Sequence, residues 1–218
     1  MPARKRKVEA RIDWKSYEGD RVILPVCVRS QAVRSKEFEA TVQKLSERVR
    51  QVHVIMCDTL DRYNVPEAET LRLSAEWQKA KLPVLEHHIP DYDVHVWNEV
   101  RAASSFGERL EAMQKLYETD GRARDIVDRI ADHYLTAKAR RNADKGLPFD
   151  AGRERANSTS YLIEEFAGTA EYASWYPGLP EAYWGVYVGN SCAFGDERLV
   201  LPVTLPVSIK GLPEPVAG

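Results

Sequence analysis

The chain has 218 residues, with 31 Lys and Arg against 33 Asp and Glu, 44% hydrophobic residues, 12 Gly and 12 Pro. That length suits one globular domain, since domains commonly run to roughly 150 residues and single α/β domains longer, and the composition fits neither a disordered nor a low-complexity chain. A net charge of −2 excludes a polycation that grips nucleic acid over its whole surface, so any RNA contact must be regional.

Residues 1–19, with Arg4-Lys5-Arg6-Lys7, read as a basic tail, and residues 20–218 as a single α/β domain. Val22-Ile23-Leu24-Pro25-Val26-Cys27-Val28 is a short apolar run bounded by charge and predicts a buried strand. Pro cannot donate to a ladder, so this strand lies at a sheet edge or turns the Pro25 amide toward a gap. A helix is expected from Ser35, a suitable N-cap, with Phe38, Val42, Leu45 and Val49 on one face. Val52-His53-Val54-Ile55-Met56-Cys57 predicts a second apolar strand ending at Asp58, with His53 read as a core histidine. Strand, helix and strand make a parallel βαβ unit. In such sheets ligands sit beyond the carboxyl ends of the strands, where Cys27 and Asp58 both fall.

The segment from Leu110 to Arg141 is helical by its periodicity and ends in Lys138-Ala139-Arg140-Arg141. Those cations are either a solvated helix end that complements the macrodipole or a phosphate contact. After the loop Gly146-Leu147-Pro148, the N-cap formers Asn157-Ser158-Thr159-Ser160 open a helix through YLIEEFAGTAEYASWY. Tyr161 and Glu165, four apart, share a face of it, while Glu164 and Glu165 point different ways, so that only one needs solvent. Residues 183–188 and 199–203 predict late strands.

No phosphate-cradling G-x-x-x-x-G-K-[ST] loop and no G-x-G-x-x-G turn occurs after the first strand, which disfavours ATP and NAD chemistry. Glu86-His87-His88 with Asp91, Asp93 and His95 gathers metal-ligand types, but it lacks a helical i, i+4 pair and contains a proline, and reads as a polar loop without metal. Three widely spaced cysteines, Cys27, Cys57 and Cys192, argue against a disulfide framework. Cys27 at a strand end would face the following helix N-terminus and solvent, an environment that lowers a thiol pKa and favours the nucleophilic thiolate. No stretch approaches the roughly 18 apolar residues of a membrane span, nor does MPARKRK resemble a signal peptide, so a cytoplasmic location is expected.

Three segments in order resemble the cyclodipeptide synthases: VILPVCVRSQAVRSKEF, VHVIMCDTLDRYN, and SYLIEEFA with its Tyr-x-x-x-Glu spacing, followed by Tyr187-Val188-Gly189. The resemblance runs from about residue 20 to 205. It implies a Rossmann-like parallel sheet with helices on both faces, similar to the catalytic domain of class I aminoacyl-tRNA synthetases. It also implies an aminoacyltransferase of natural-product biosynthesis that acts without cofactor on two aminoacyl-tRNAs. The first aminoacyl group would move onto a nucleophile, and a second would extend it to a dipeptide that closes to a diketopiperazine.

By matching position, the family's nucleophilic serine falls on Cys27, or on Ser30 if three residues are deleted. Cys27 keeps the strand phase, which also places Ile23 and Pro25 along the first aminoacyl pocket beside Ser30 and Asp58. Tyr161 would hold the aminoacyl group, Glu165 would anchor its amine and move protons, and Tyr187 would serve cyclisation, although Val188 stands where the family has Pro or His. Lys138, Arg140, Arg141, Arg153 and Arg155 would contact tRNA phosphates. A monomer without membrane or DNA partner is expected. Another aminoacyl transferase of the same fold and a non-catalytic tRNA-binding paralogue are the alternatives, and an arginine-using branch is one option for the amino acids joined.

Overall fold

The computed structural model describes residues 9–12, 18–30, 36–184 and 204–210. The chain runs through β1 (Glu9–Ile12), β2 (Arg21–Val26), α1 (Lys36–Leu45), β3 (Gln51–Met56), a 3-10 turn (Thr59–Tyr63), α2 (Glu67–His88), β4 (Asp91–Val96), α3 (Trp97–Ala102), α4 (Phe106–Thr119), α5 (Gly121–Asp144), α6 (Ala151–Trp175), β5 (Glu181–Trp184) and β6 (Thr204–Lys210).

Alternation along β2 and β3 sets the architecture. Val22, Leu24, Val26, Val52, Val54 and Met56 are buried on one face of the sheet, and Ile23 and Ile55 on the other. Strands apolar on both faces must be covered on both. α1 and α2 supply one layer through Phe38, Val42, Leu45, Leu73 and Trp77; α3 to α6 supply the second through Trp97, Met113, Val127 and Phe166. The sheet order is β1-β6-β5-β2-β3-β4, all parallel except β1, which pairs antiparallel with β6. This is the expected α/β class, with one correction: Glu9–Ile12, read as part of a basic tail, is an edge strand of the sheet.

Pro25 does not mark an edge. β2 lies between β5 and β3. The Ile23 amide donates to the Pro180 carbonyl on the β5 side at 2.9 Å, while the Val26 carbonyl accepts from the Cys57 amide on the β3 side at 2.9 Å. By the period of two, Pro25 aims its nitrogen toward β5, where the ladder already ends at the Ile23–Glu181 pair.

Other boundaries also differ from the expected ones. α6 begins at Ala151, because Asp150 accepts from the Arg153 amide at 3.1 Å and caps the helix ahead of the Asn157–Ser160 cluster, which becomes helix interior. The His-rich segment is not a loop: His87 and His88 end α2, and residues 91–96 form β4, which pairs with β3 in register from Gln51↔Asp91 to Met56↔Val96. α2 lacks the clean periodicity that would have announced it, whereas β4 alternates strictly, with Tyr92, Val94 and Val96 toward the layer of α1 and α2. The late strands are β5, starting at Glu181, and β6, starting at Thr204; residues 185–203 lie outside the described residues. No helix among the described residues is long and apolar enough to cross a membrane.

One close approach holds α6 to this frame. A Cβ on Gly168 would stand 2.3 Å from Cη2 of Trp97, which is fully buried and anchored by its indole N–H to Glu164 Oε1 at 2.8 Å. The ring has no room to retreat. Gly168→Ala is therefore expected to destabilise the protein by about 1–3 kcal/mol, despite the helical preference for alanine. Urea unfolding at constant m-value checks it, and an unchanged midpoint would show that Trp97 can shift.

Candidate active site

β2, β3 and β4 end level, with Val26 paired to Met56 and Met56 to Val96. The chain therefore turns at one edge of the sheet from all three strands. After β2 the Ser30 amide donates to the Cys27 carbonyl at 2.9 Å, a tight turn that brings Cys27, Arg29 and Ser30 to that edge. After β3 comes the 3-10 turn, capped by Asp58, whose Oδ1 accepts from the Thr59 amide at 2.7 Å. From the opposite direction α6 brings Ser158, Tyr161, Leu162 and Glu165, spaced along one helical stripe. Together with the end of α5 they enclose a cavity of about 490 Å³.

Cys27, Ser30, Tyr161 and Glu165 all line this cavity, although they come from distant parts of the sequence. The Tyr161 hydroxyl donates to Glu165 Oε1 at 3.5 Å. Burial, then the negative charges of Glu181 and Asp61, push the Glu165 carboxyl up to about 8. Its protonated form is therefore the favoured one at neutral pH. Tyr161 is held well above its usual range, chiefly by burial and then by Glu165, and stays a neutral hydroxyl.

The Cys27 thiol is not the depressed thiol its position suggested. Burial, followed by the charge of Asp61, raises its pKa. Its Sγ donates to Asp61 Oδ2 at 3.4 Å, and Arg29 donates to Asp61 Oδ1 at 3.2 Å. Asp61 is itself raised by burial, against the opposing pull of Arg29. The thiol thus sits protonated beside a carboxylate with its own cation. The expected start of the following helix at Ser35 lies outside the described residues.

Three expected pocket residues do not line the cavity. Ile23 is fully buried in the core, and Pro25 faces the same layer without reaching the opening. Asp58, 2% exposed, is spent on structure: besides capping the 3-10 turn it accepts from Ser74 Oγ at 3.0 Å and the Trp97 amide at 3.2 Å. Asp61, one 3-10 turn further on, takes the place in the cavity that the sequence offered to Asp58. Nothing in the spacing of the two aspartates separates capping from lining. Arg29, Asn64 and Tyr134 were also missed; the Tyr134 hydroxyl donates to Asn64 Oδ1 at 3.1 Å. Tyr187, Val188 and Cys192 lie outside the described residues.

Of the basic residues, Lys138 and Arg141 line the cavity, as does Lys145, which was not anticipated. Lys138 is paired with Glu154, and Arg155 with Asp132 and, at 3.8 Å, Asp128. Arg140 and Arg153 are exposed and make no ion pair among the described residues. No group of three or more His, Cys, Asp or Glu residues is placed to hold a metal among the described residues. His53 is 5% exposed, bonded through Nδ1 to Asp93 Oδ2 at 2.9 Å and stacked on Tyr176 with ring centroids 3.9 Å apart, in keeping with a core histidine.

Behind the cavity wall, Glu164 is 2% exposed and sealed by Arg62, by Tyr63 at 2.7 Å and by Trp97. Glu164 is buried and Glu165 half-buried in the cavity, in keeping with adjacent positions that point different ways, only one of which needs solvent. Glu164 binds the 3-10 turn that carries Asp61 to the helix that carries Tyr161 and Glu165.

Protein-family models and curated protein sequences give no match to this chain. Solved structures do. A CDPS from Fluoribacter dumoffii superposes with a TM-score of 0.79 at 16% identity, covering 95% of this chain and 100% of that one. A cyclodipeptide synthase from Candidatus Glomeribacter gigasporarum, solved bound to Phe-tRNAPhe, gives 0.69 at 19% identity, covering 89% of each chain. A Mycobacterium tuberculosis protein, whose structure was reported to relate cyclodipeptide synthetases to type I tRNA synthetases, gives 0.55 at 10% identity over 88% of this chain and 86% of that one. The chain therefore has the fold of the cyclodipeptide synthases.

Proposed function

We propose that this protein is an aminoacyl-tRNA-dependent cyclodipeptide synthase that works through an aminoacyl thioester on Cys27. The observation that carries the reading is the meeting of a thiol from the end of β2 with a phenol and a carboxyl from α6 in one cavity. Within the fold shared with the cyclodipeptide synthases, those are the groups that acyl transfer between aminoacyl-tRNAs requires.

In this reading the Cys27 sulfur attacks the ester carbonyl of a first aminoacyl-tRNA, the C–S bond forms, and the ribose 3′-oxygen leaves. Tyr161 and Glu165 hold the amino acid by its α-amine. A carboxyl poised near 8 can give up its proton to bind an ammonium group and take one from it, because its basicity is close to that of the amine. The freed amine then attacks the ester of a second aminoacyl-tRNA. The terminal amine of the resulting dipeptidyl enzyme attacks the thioester, closing the ring and releasing the thiol. No nucleotide is consumed, consistent with the missing phosphate-binding loops. Lys138, Arg141 and Lys145 at the rim offer cations to the backbone of the acceptor end.

The test is to incubate the purified protein with mixed charged tRNAs and to analyse products by mass spectrometry. A diketopiperazine is expected. Linear dipeptides or amino-acid conjugates alone would instead assign the site to another aminoacyl transfer.

A further inference from the structure

We propose that Asp61 is the base that receives the Cys27 thiol proton as the sulfur attacks, a role that rests on the reading of Cys27 as nucleophile. The two oxygens of Asp61 face different partners. Oδ1 accepts from Arg29 at 3.2 Å and from Asn64 Nδ2 at 3.5 Å, while Oδ2 lies 3.4 Å from Cys27 Sγ. One oxygen is tethered and the other is aimed at sulfur.

The mounting is rigid. Asp61 is 4% exposed and sits in the 3-10 turn that Asp58 caps at one end and the Arg62–Glu164 pair ties to α6. Asn64 is held in turn by Tyr134. The neighbouring carboxyl is poorly suited to this role, because Glu165 makes its hydrogen bond with Tyr161 and carries a proton at neutral pH. Burial makes Asp61 a stronger base than a free aspartate, while the Arg29 guanidinium pulls toward its ionised form. A thiol whose pKa is raised has little thiolate to offer, so its attack needs a proton acceptor in contact with it.

The step balances without a co-reactant. The S–H proton passes to Asp61 Oδ2 as the C–S bond forms, the carbonyl carbon–ribose oxygen bond breaks, and the same proton passes to the departing 3′-oxygen. The carboxylate is restored for the next turnover.

The experiment measures two rates on the same proteins: formation of the aminoacyl adduct by intact-mass analysis, and alkylation of Cys27 by iodoacetamide across pH, followed by peptide mapping. In Asp61→Asn the adduct is expected to form about 10²–10⁴-fold more slowly, the usual contribution of a general base. Alkylation should move the opposite way: with the negative charge gone, its profile shifts to lower pH. A structural role for Asp61 would not split the two rates in opposite directions. Arg29→Gln, at a side chain 35% exposed, provides a variant that removes only the cation, and its alkylation profile should shift to higher pH.

Acylation of Asp61→Asn at the wild-type rate, or alkylation profiles that superimpose in both variants, would overturn the assignment of Asp61 and leave the proposed function standing. A wild-type protein that alkylates as described but accepts no aminoacyl group would defeat that function, and with it the catalytic role of Asp61, while the thiol–carboxylate pair itself remained.

Discussion

Cys27→Ala is expected to abolish the aminoacyl adduct and to lower diketopiperazine formation by on the order of 10⁴-fold, because covalent transfer has no substitute for its nucleophile. Ser30→Ala should keep the adduct. Both side chains line the cavity, so proximity alone does not choose between them. Their contacts differ: Cys27 Sγ bonds to Asp61, whereas Ser30 contributes a backbone amide to the turn that presents Cys27. Cys27→Ser gives a further discrimination. It keeps an oxygen nucleophile beside the same carboxylate and should form an ester in place of a thioester, resistant to neutral hydroxylamine under conditions that strip the wild-type adduct. An adduct that survives Cys27→Ala and vanishes in Ser30→Ala would exchange the two roles.

How much of this site can be read from the sequence depends on the range of the interaction that makes each residue useful. The strand phase that puts Cys27 beyond β2 and the spacing that puts Tyr161 and Glu165 on one face are local, and the structure brings all three to one cavity. Asp61 is different. Its value comes from contacts 32 and 34 residues back in the chain, at Arg29 and Cys27, so its own neighbourhood shows only a second aspartate after Asp58. The nearer one suggests itself as the ligand-facing group because it follows the strand directly, and that same position makes it the cap of the 3-10 turn. α6 starts early for a similar reason: Asp150 is as good a cap as the later cluster and lies closer to the loop that breaks the chain. Pro25 is the case where a correct rule had two outcomes. Its missing donor excludes a full ladder on one side, and only the short pairing with β5 shows that an internal strand meets that condition.

Adjacent glutamates should give opposite results when changed. Glu164→Ala leaves the Arg62 guanidinium, its Tyr63 neighbour and the Trp97 indole N–H facing a void where a buried carboxylate had satisfied all of them. Breaking a buried pair on one side costs about 3–5 kcal/mol, and at about 2–4 °C per kcal/mol for a chain of this size the midpoint of thermal unfolding should fall by about 6–20 °C. Burial alone would raise the Glu164 carboxyl, but the hydrogen bonds from Arg62, Trp97 and Tyr63 outweigh it and hold the group below its usual value of 4.5. Its contribution is therefore present in full above that pH and is lost as pH falls through the depressed value, so wild type and Glu164→Ala should converge in strong acid. Glu165→Gln should leave the protein folded at pH 6 while transfer fails. Here the sign is reversed: a carboxyl raised from 4.5 to about 8 is comfortable when protonated, and ionising it costs stability as pH rises through that window. The glutamine variant lacks this loss and should melt higher than wild type above pH 8. Melting curves at pH 6 and 9 with adduct formation on the same samples test the contrast. Unfolding of Glu165→Gln at pH 6 would make Glu165 a structural residue, and a Glu164→Ala protein as stable as wild type would mean that the 3-10 turn carrying Asp61 is held to α6 by something other than this carboxylate.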